Sequence, residues 1–129
     1  MSGYEEDIER LGPVAPVARA LTEYAKALVP GGNFERKGGW WVSKPNFVAF
    51  KVLKRSREVI FSVYGFPSNF KRCPSLGIYW SGRSYSEFRL GTARQLGAAV
   101  SYIATAFHFS KFKRKRKPPV EEVGLEKIL

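Results

Sequence analysis

Apolar residues recur at every second position in three segments of this chain, and this alternation constrains the fold more than any other feature. The clearest case is Val59, Phe61 and Val63. The same pattern runs through Phe47–Leu53 and Tyr85–Leu90. Successive side chains of a strand point to opposite faces of a sheet, so each segment predicts a strand with one buried face and one exposed face.

Turn residues predict that further strands are joined to these by hairpins. Gly38–Gly39 indicates a hairpin or a bulge between a strand at Phe34 and a strand at Trp40–Val42. Ser81–Gly82 indicates a second hairpin, between Leu76–Trp80 and the last alternating segment. Glycine at such positions lets the backbone reverse direction within a few residues.

Helical patterns flank the strand region on both sides. The chain predicts a short acidic helix over Tyr4–Leu11 and a longer helix that starts near Pro16. One face of the longer helix carries Val17, Leu21, Tyr24 and Leu28. Thr92 with Gln95 forms a capping box that opens a third helix, whose predicted buried stripe is Leu96, Val100, Ile103 and Phe107. The prediction is an α+β fold, an antiparallel sheet of four to five strands with helices before and after it.

The charge of the chain is strongly positive. It has 22 Lys and Arg residues against 11 Asp and Glu, a net charge of +11. Between Tyr24 and Val120 the only acids are Glu35, Glu58 and Glu87. Self-repulsion of this kind destabilises a compact chain, and a polyanionic partner offsets it. Nucleic acid is the first partner to expect, with anionic lipid as the main rival.

The sequence also predicts the cellular setting. Cys73 is the only cysteine, so no internal disulfide forms and a reducing compartment suits the chain. No apolar run approaches the roughly 20 residues of a membrane-spanning helix. The acidic N-terminal segment has the features of neither a secretory signal nor a transit peptide. We therefore expect a cytoplasmic protein.

Residues that support catalysis are scarce. Asp7 is the only aspartate and His108 the only histidine, which leaves little for a nucleophilic triad or a zinc site. No phosphate-binding glycine motif occurs. We expect no catalysis, no cofactor and no metal. One enzymatic alternative is a metal-dependent nuclease that uses Glu35, Lys37 and Glu58, because Glu35-Arg36-Lys37 has the acid-x-Lys form of such sites.

Aromatic and basic residues are interleaved in several segments, and aromatic residues make up 15% of the chain. Unstacked bases lie on aromatic rings while Lys and Arg neutralise phosphates, so this pattern favours single-stranded DNA or RNA over a duplex. The predicted stacking residues are Trp41, Phe66, Phe70, Tyr79 and Tyr85. The predicted phosphate contacts are Lys44, Lys51, Lys71, Arg72, Arg83 and Arg89.

The composition changes after residue 110. A basic arm includes Lys113, Arg114, Lys115, Arg116 and Lys117, which we expect to add affinity that does not depend on sequence. Lipid binding, protein binding and a nuclear-localisation-like role are alternatives for this arm. Residues 120–129 predict a short amphipathic helix whose apolar residues either fold back on the domain or pair with a second copy in a homodimer. The Pro118–Pro119 break between this segment and the body favours pairing. The predicted division is a basic α+β domain over 1–110 and an arm with a C-terminal helix over 111–129.

The layout resembles the ThermoDBP type of archaeal single-stranded DNA-binding protein and its RNA-binding relatives. The residues that carry the resemblance are the helix Val17–Leu28, the strands Trp40–Leu53 and Val59–Tyr64, the helix Thr92–Phe107 and the tail VEEVGLEKIL. The resemblance implies a basic cleft beside the sheet that binds single strands, and dimerisation through the C-terminus. It rests on the order of elements along the chain, without a diagnostic motif.

Overall fold

The computed structural model describes residues 3–29 and 31–110. Three helices and six strands succeed one another in the order α-α-β-β-β-β-β-β-α. The helices are α1 (Tyr4–Glu9), α2 (Ala15–Ala27) and α3 (Leu96–Ser110). The strands are β1 (Asn33–Lys37), β2 (Trp40–Lys44), β3 (Val48–Leu53), β4 (Glu58–Tyr64), β5 (Tyr79–Gly82) and β6 (Tyr85–Leu90).

All six strands form one antiparallel sheet in the order β1-β2-β3-β4-β6-β5. The predicted α+β class is confirmed, and the sheet has one strand more than the upper end of the prediction. The last hairpin also differs from the prediction, since β5 extends through Gly82 and the turn lies at Arg83–Ser84. Gly82 and Arg83 have positive φ angles, 115° and 51°, and this backbone conformation allows the chain to reverse at the observed turn.

The helices pack on one side of the sheet, which we call the helical face. Its strand residues alternate as the sequence predicts: Val59, Phe61 and Val63 are fully buried, and the neighbouring strand turns Phe88 and Leu90 to the same side. Aromatic rings fill much of this layer in edge-to-face contacts, as between Tyr4, Phe34 and Phe50. Most of the hydrophobic core therefore lies between the helices and this face.

The short helix α1 is held to the sheet by the only aspartate of the chain. Trp41 Nε1 donates a 2.9 Å hydrogen bond to Asp7 Oδ2. Arg10 and Arg36 approach the same carboxylate to 3.6 and 3.8 Å. The Tyr4 hydroxyl accepts a 3.0 Å hydrogen bond from Lys26 of α2. These contacts place a six-residue helix that would not be stable by itself.

Helix α3 begins as predicted but buries a different stripe. Gln95 Oε1 accepts a 3.2 Å hydrogen bond from the Thr92 amide, which confirms the capping box. Of the predicted stripe, Ile103 is fully buried, while Leu96, Val100 and Phe107 pack against the core but are only half-buried. The buried residues are Ala98, Ala99, Tyr102, Ile103 and Ala106. Small alanine side chains let this helix approach the sheet closely.

The buried hydroxyl of Tyr102 ties the long β4–β5 loop to α3. It donates a 2.5 Å hydrogen bond to the Leu76 carbonyl and accepts a 3.1 Å hydrogen bond from the Cys73 amide. Removal from water raises the pKa of this hydroxyl above its ordinary value. Tyr102 of α3 thus holds the loop that leads into β5 by hydrogen bonds to two of its backbone groups.

The predictions made for residues 111–129, namely the basic arm, the C-terminal helix and the homodimer, lie outside the described residues. Within residues 3–29 and 31–110, none of the helices has the length and apolar character needed to cross a membrane.

Candidate nucleic-acid interface

The second side of the sheet, which we call the open face, faces away from all three described helices. Its side chains come from the strand positions that alternate with the buried ones, and most are exposed or half-buried. Register places them in rows across the sheet. On this face Lys37 of β1 is directly opposite Trp40 of β2, and Lys51 of β3 is directly opposite Ile60 of β4. Apolar and basic residues are therefore mixed on this side of the sheet.

Four aromatic residues belong to the open face. One of them, Tyr64, is buried against the ring of Tyr85, with 5.7 Å between ring centroids. Tyr79, on the edge strand β5, is 69% exposed and is the most exposed large hydrophobic residue of the described chain. Trp40 and Tyr85 are half-buried. The Tyr85 hydroxyl accepts a 3.2 Å hydrogen bond from Asn46, and burial raises its pKa, so at neutral pH this hydroxyl keeps its proton. Sequence reasoning selected Tyr79 and Tyr85 and missed Trp40.

The prediction that Trp41 presents its ring to a ligand is wrong. Adjacent tryptophans on a strand point to opposite faces, and here Trp41 is the one that points to the helices, with 8% exposure. Its indole contacts Tyr4 edge to face and is bonded to Asp7. The residue that could have indicated the burial of Trp41 is its hydrogen-bond acceptor Asp7 on α1, but Asp7 lies 34 residues away in the sequence.

The rings of Phe66 and Phe70 are also not available for stacking. They are 3% and 5% exposed, respectively. Phe70 contacts Tyr102 of α3 edge to face, with 5.8 Å between ring centroids. The loop that carries both rings folds over the core, where an aromatic side chain removes far more apolar surface from water than it would in an open loop.

Basic side chains surround the aromatic residues of the open face. Lys44, Lys51 and Arg89 are exposed on it, as predicted, and Arg83 is exposed at the β5–β6 turn. Lys44 pairs with Glu35 at 3.3 Å and Arg89 with Glu58 at 3.6 Å. Exposed pairs of this kind are worth about 0–1 kcal/mol, so both cations remain able to exchange partners.

The remaining predicted phosphate contacts fall elsewhere. Lys71 and Arg72 are exposed in the β4–β5 loop, which is fastened to α3 through Tyr102. Arg72 lines a depression between this loop and Tyr79, at the edge of the open face. The arm residues Lys113, Arg114, Lys115, Arg116 and Lys117 are outside the described residues.

Two depressions lie side by side on the open face. The larger, about 440 Å³, is lined by Trp40, Ser62, Ser81, Gly82, Arg83, Tyr85 and Glu87. The smaller, about 330 Å³, is lined by Ile60, Tyr79, Glu87, Phe88 and Arg89. Glu87 borders both. Each depression has a ring and a basic residue in its wall, within the size range of small-ligand sites.

The residues proposed for a nuclease are not brought together. Glu35 is on β1 and Glu58 on β4, so three strand spacings, roughly 14 Å, separate them across the sheet. One cation cannot bridge carboxylates that far apart. Nowhere in the described part of the chain do three or more His, Cys, Asp or Glu side chains group so that they could hold a metal ion.

Comparison of the chain with protein-family models, curated proteins and solved structures gives no match. The resemblance to the ThermoDBP type, which rests on the order of elements alone, stays a prediction.

Proposed function

We propose that this protein binds single-stranded nucleic acid along the open face of its sheet, with little dependence on sequence. The observation that carries the proposal is the exposure of the Tyr79 ring on a side of the sheet that none of the described helices covers. The half-buried rings of Trp40 and Tyr85 lie on the same side. Unpaired bases stack on exposed rings, whereas the bases of a duplex are already stacked on one another.

The basic residues of the same face support the proposal. Lys44, Lys51, Arg83 and Arg89 are exposed beside the rings and can follow a phosphate backbone. The acids are distributed differently. Five of the eight acidic residues in the described part lie on α1 and α2, on the other side of the sheet. A polyanion is therefore attracted to the open face and repelled from the acidic helix α1.

Single strands of DNA and of RNA fit this surface equally well. Telling them apart requires only one or two polar contacts to the 2′-hydroxyl. The proposal includes no catalytic step, since the predicted nuclease residues are about three strand spacings apart. A basic arm over residues 111–117 would extend the same interaction.

The test is a fluorescence-anisotropy titration of the full chain with a single-stranded DNA, the matching RNA and the matching duplex, at low and physiological salt. We expect both single strands to bind more tightly than the duplex at physiological salt. Tyr79→Ala should weaken single-strand binding roughly five-fold to hundred-fold, because one stacked base is worth about 1–3 kcal/mol. Tyr79→Phe is the matched control, since it keeps the ring and should keep the affinity.

Two results would contradict the proposal. Weak binding to all three nucleic acids that disappears at physiological salt would mean that charge alone acts. An equal loss for single strands and duplex in Tyr79→Ala would remove the role of stacking.

A further inference from the structure

Glu87 is the one acidic residue of the open face that forms no ion pair with a described residue, although Arg83 and Arg89 line the depressions that it borders. The other two acids there are neutralised, Glu35 by Lys44 and Glu58 by Arg89. Glu87 stands between Ser62 on β4 and Tyr79 on β5, which are its direct partners in the sheet. Within the described part of the chain its carboxylate forms neither an ion pair nor a hydrogen bond.

A carboxylate at this position suits a ligand group other than phosphate. A carboxylate repels the backbone of a nucleic acid, and partial burial weakens the screening by water. Glu87 is half-buried at the boundary of the two depressions, with rings in both walls. Arg83 lines the larger depression and Arg89 the smaller one. The arrangement suits phosphates at the rim and base edges, which carry N–H donors, at the centre.

The chemistry of the four bases selects one of them. A carboxylate only accepts hydrogen bonds, and it has two oxygens side by side. Guanine alone presents two adjacent donors, N1–H and the 2-amino group, on its Watson–Crick edge. Adenine and cytosine place an acceptor nitrogen next to their amino group, and uracil and thymine have one N–H between two carbonyl oxygens. A bidentate, charge-assisted pair therefore forms with guanine and with no other standard base.

A basic peptide is a weaker candidate for this carboxylate. It would have to approach across Lys51, Arg83 and Arg89, which repel it, and it would leave the rings of Trp40 and Tyr79 without a planar partner.

We infer that Glu87 gives the open face a preference for guanine within an otherwise sequence-tolerant single-strand site. The guanine ring stacks in one of the two depressions, and its N1–H and 2-amino group donate to the two oxygens of Glu87. Ser62 and Ser81 line the larger depression and can contact the remaining polar atoms of the base. This inference rests on the proposed function, because it needs a single strand on the open face.

The experiment uses the full chain and three labelled 12-nucleotide strands: oligothymidine, the same strand with two separated guanines, and the same strand with inosine at those positions. Inosine keeps N1–H and lacks the 2-amino group. Wild type should bind the guanine strand about ten-fold more tightly than oligothymidine, the discrimination typical of one bidentate pair. The inosine strand should fall between them.

Glu87→Gln should abolish the preference, because an amide offers one acceptor and one donor. Its affinity for oligothymidine should stay the same or rise, since a negative charge is lost. Glu23→Gln is the matched control: it removes one charge from an exposed position on α2 and should keep the preference. Circular dichroism of both variants checks that the fold is unchanged.

Equal wild-type affinity for the three strands would overturn the inference and leave the proposed function standing. The same holds if Glu87→Gln keeps the full preference. Failure to bind any of the strands would remove the proposed function and the inference with it. Binding of an oligolysine peptide that depends on Glu87, without discrimination among the strands, would assign the carboxylate to a basic partner and overturn the inference.

Discussion

The two faces of the sheet are built from the same strands and yet differ in almost every property. On β4, Phe61 is fully buried while its neighbours Ile60 and Ser62 are half-exposed. On the helical face the rings contact one another and the helices, whereas on the open face Trp40 and Tyr79 border depressions. The aromatic residues of the strands are therefore divided between two environments, and the alternation of side chains along a strand decides on which face a given ring lies.

The strongest test of this difference truncates neighbours on one strand. Phe61→Ala should lower the free energy of unfolding by about 3–5 kcal/mol, because it leaves a cavity in a packed layer. Ile60→Ala, one residue away on the open face, should cost less than about 1.5 kcal/mol, since a half-exposed side chain loses only part of its burial. Urea unfolding of both variants measures the two costs. Similar values would mean that something covers the open face as well.

A smaller effect separates two tyrosines. Tyr102→Phe should cost about 1–3 kcal/mol, because the Leu76 carbonyl and the Cys73 amide lose a buried partner. Tyr79→Phe on the open face should change stability by less than about 0.5 kcal/mol. Urea unfolding at neutral pH compares them, and a cost in Tyr79→Phe that matches Tyr102→Phe would contradict the assignment of the two hydroxyls.

The contribution of the Tyr102 hydroxyl to stability should depend on pH, and the direction of this dependence follows from its pKa. Burial raises the pKa of Tyr102 in the folded state above the value near 10 of an unfolded chain. The stability from this hydroxyl is therefore complete below about pH 10 and is lost as the pH rises through the folded-state pKa. The stability difference between wild type and Tyr102→Phe should be constant up to pH 10 and shrink above it. The pKa of Tyr85 is also raised, but that residue is common to both proteins and cancels.

Two arginines in left-handed turns sharpen the comparison further. Arg57 and Arg83 have φ angles of 55° and 51°, a region where glycine is less strained. Glycine at either position should keep the stability or raise it by up to about 1 kcal/mol, the strain relief being partly offset by chain entropy. Only Arg83→Gly should also reduce the salt dependence of single-strand binding, by roughly 0.7 in the logarithmic slope.

Arg57 is the control because its guanidinium lies against Gly12, on the helical side. Titrations at four salt concentrations give the slopes. An unchanged slope in Arg83→Gly, or an equal reduction in Arg57→Gly, would show that the phosphates do not pass the β5–β6 turn.

The smallest expected effect concerns the space beneath Tyr79. A Cβ atom added at Gly77 would stand 2.5 Å from the Tyr79 hydroxyl oxygen, so Gly77→Ala must displace this ring. The ring is at the end of a mobile side chain, so stability should change by less than about 0.5 kcal/mol. Affinity for single strands should fall about two-fold, a minor part of one stacking contact.

Gly97→Ala is the counterpart on α3, where an added Cβ meets nothing within 4 Å. It should leave binding unchanged and stabilise the helix by up to about 1 kcal/mol. Anisotropy titration and thermal unfolding of both variants check this pair, and a binding loss in Gly97→Ala would place part of the interface on the helical side.

Alternation predicts much of the sheet because it is a local property. The inward direction of Ser86, Phe88 and Leu90 follows from the sequence alone and is confirmed. Which of Trp40 and Trp41 points to the helices does not follow from the sequence, because alternation says only that the two side chains point to opposite faces. A hydrogen bond to Asp7 decides it, and that residue belongs to another element.

Loops carry no such periodicity. The burial of Phe66 and Phe70 depends on how the β4–β5 loop lies on α3, a contact between distant parts of the chain. The same limit explains the stripe of α3. Helical spacing identifies candidate apolar faces, but the close approach that Ala98, Ala99 and Ala106 allow is set by the sheet opposite them. For the candidate site, the sequence predicted that aromatic and basic residues lie near one another. Which of the aromatic residues are buried and which lie on the open face became known only from the tertiary structure.

Among the described strands, β1 and β5 are the two edges of the sheet, and an edge strand is where another chain could add a strand. At one edge β1 carries Glu35, Arg36 and Lys37 in succession, all exposed. At the other, β5 has only four residues, and its register shifts between Trp80 and Gly82. Clustered charge and a short, irregular strand are both known to oppose edge-to-edge growth. Both edges therefore disfavour association of a second copy by continuation of the sheet.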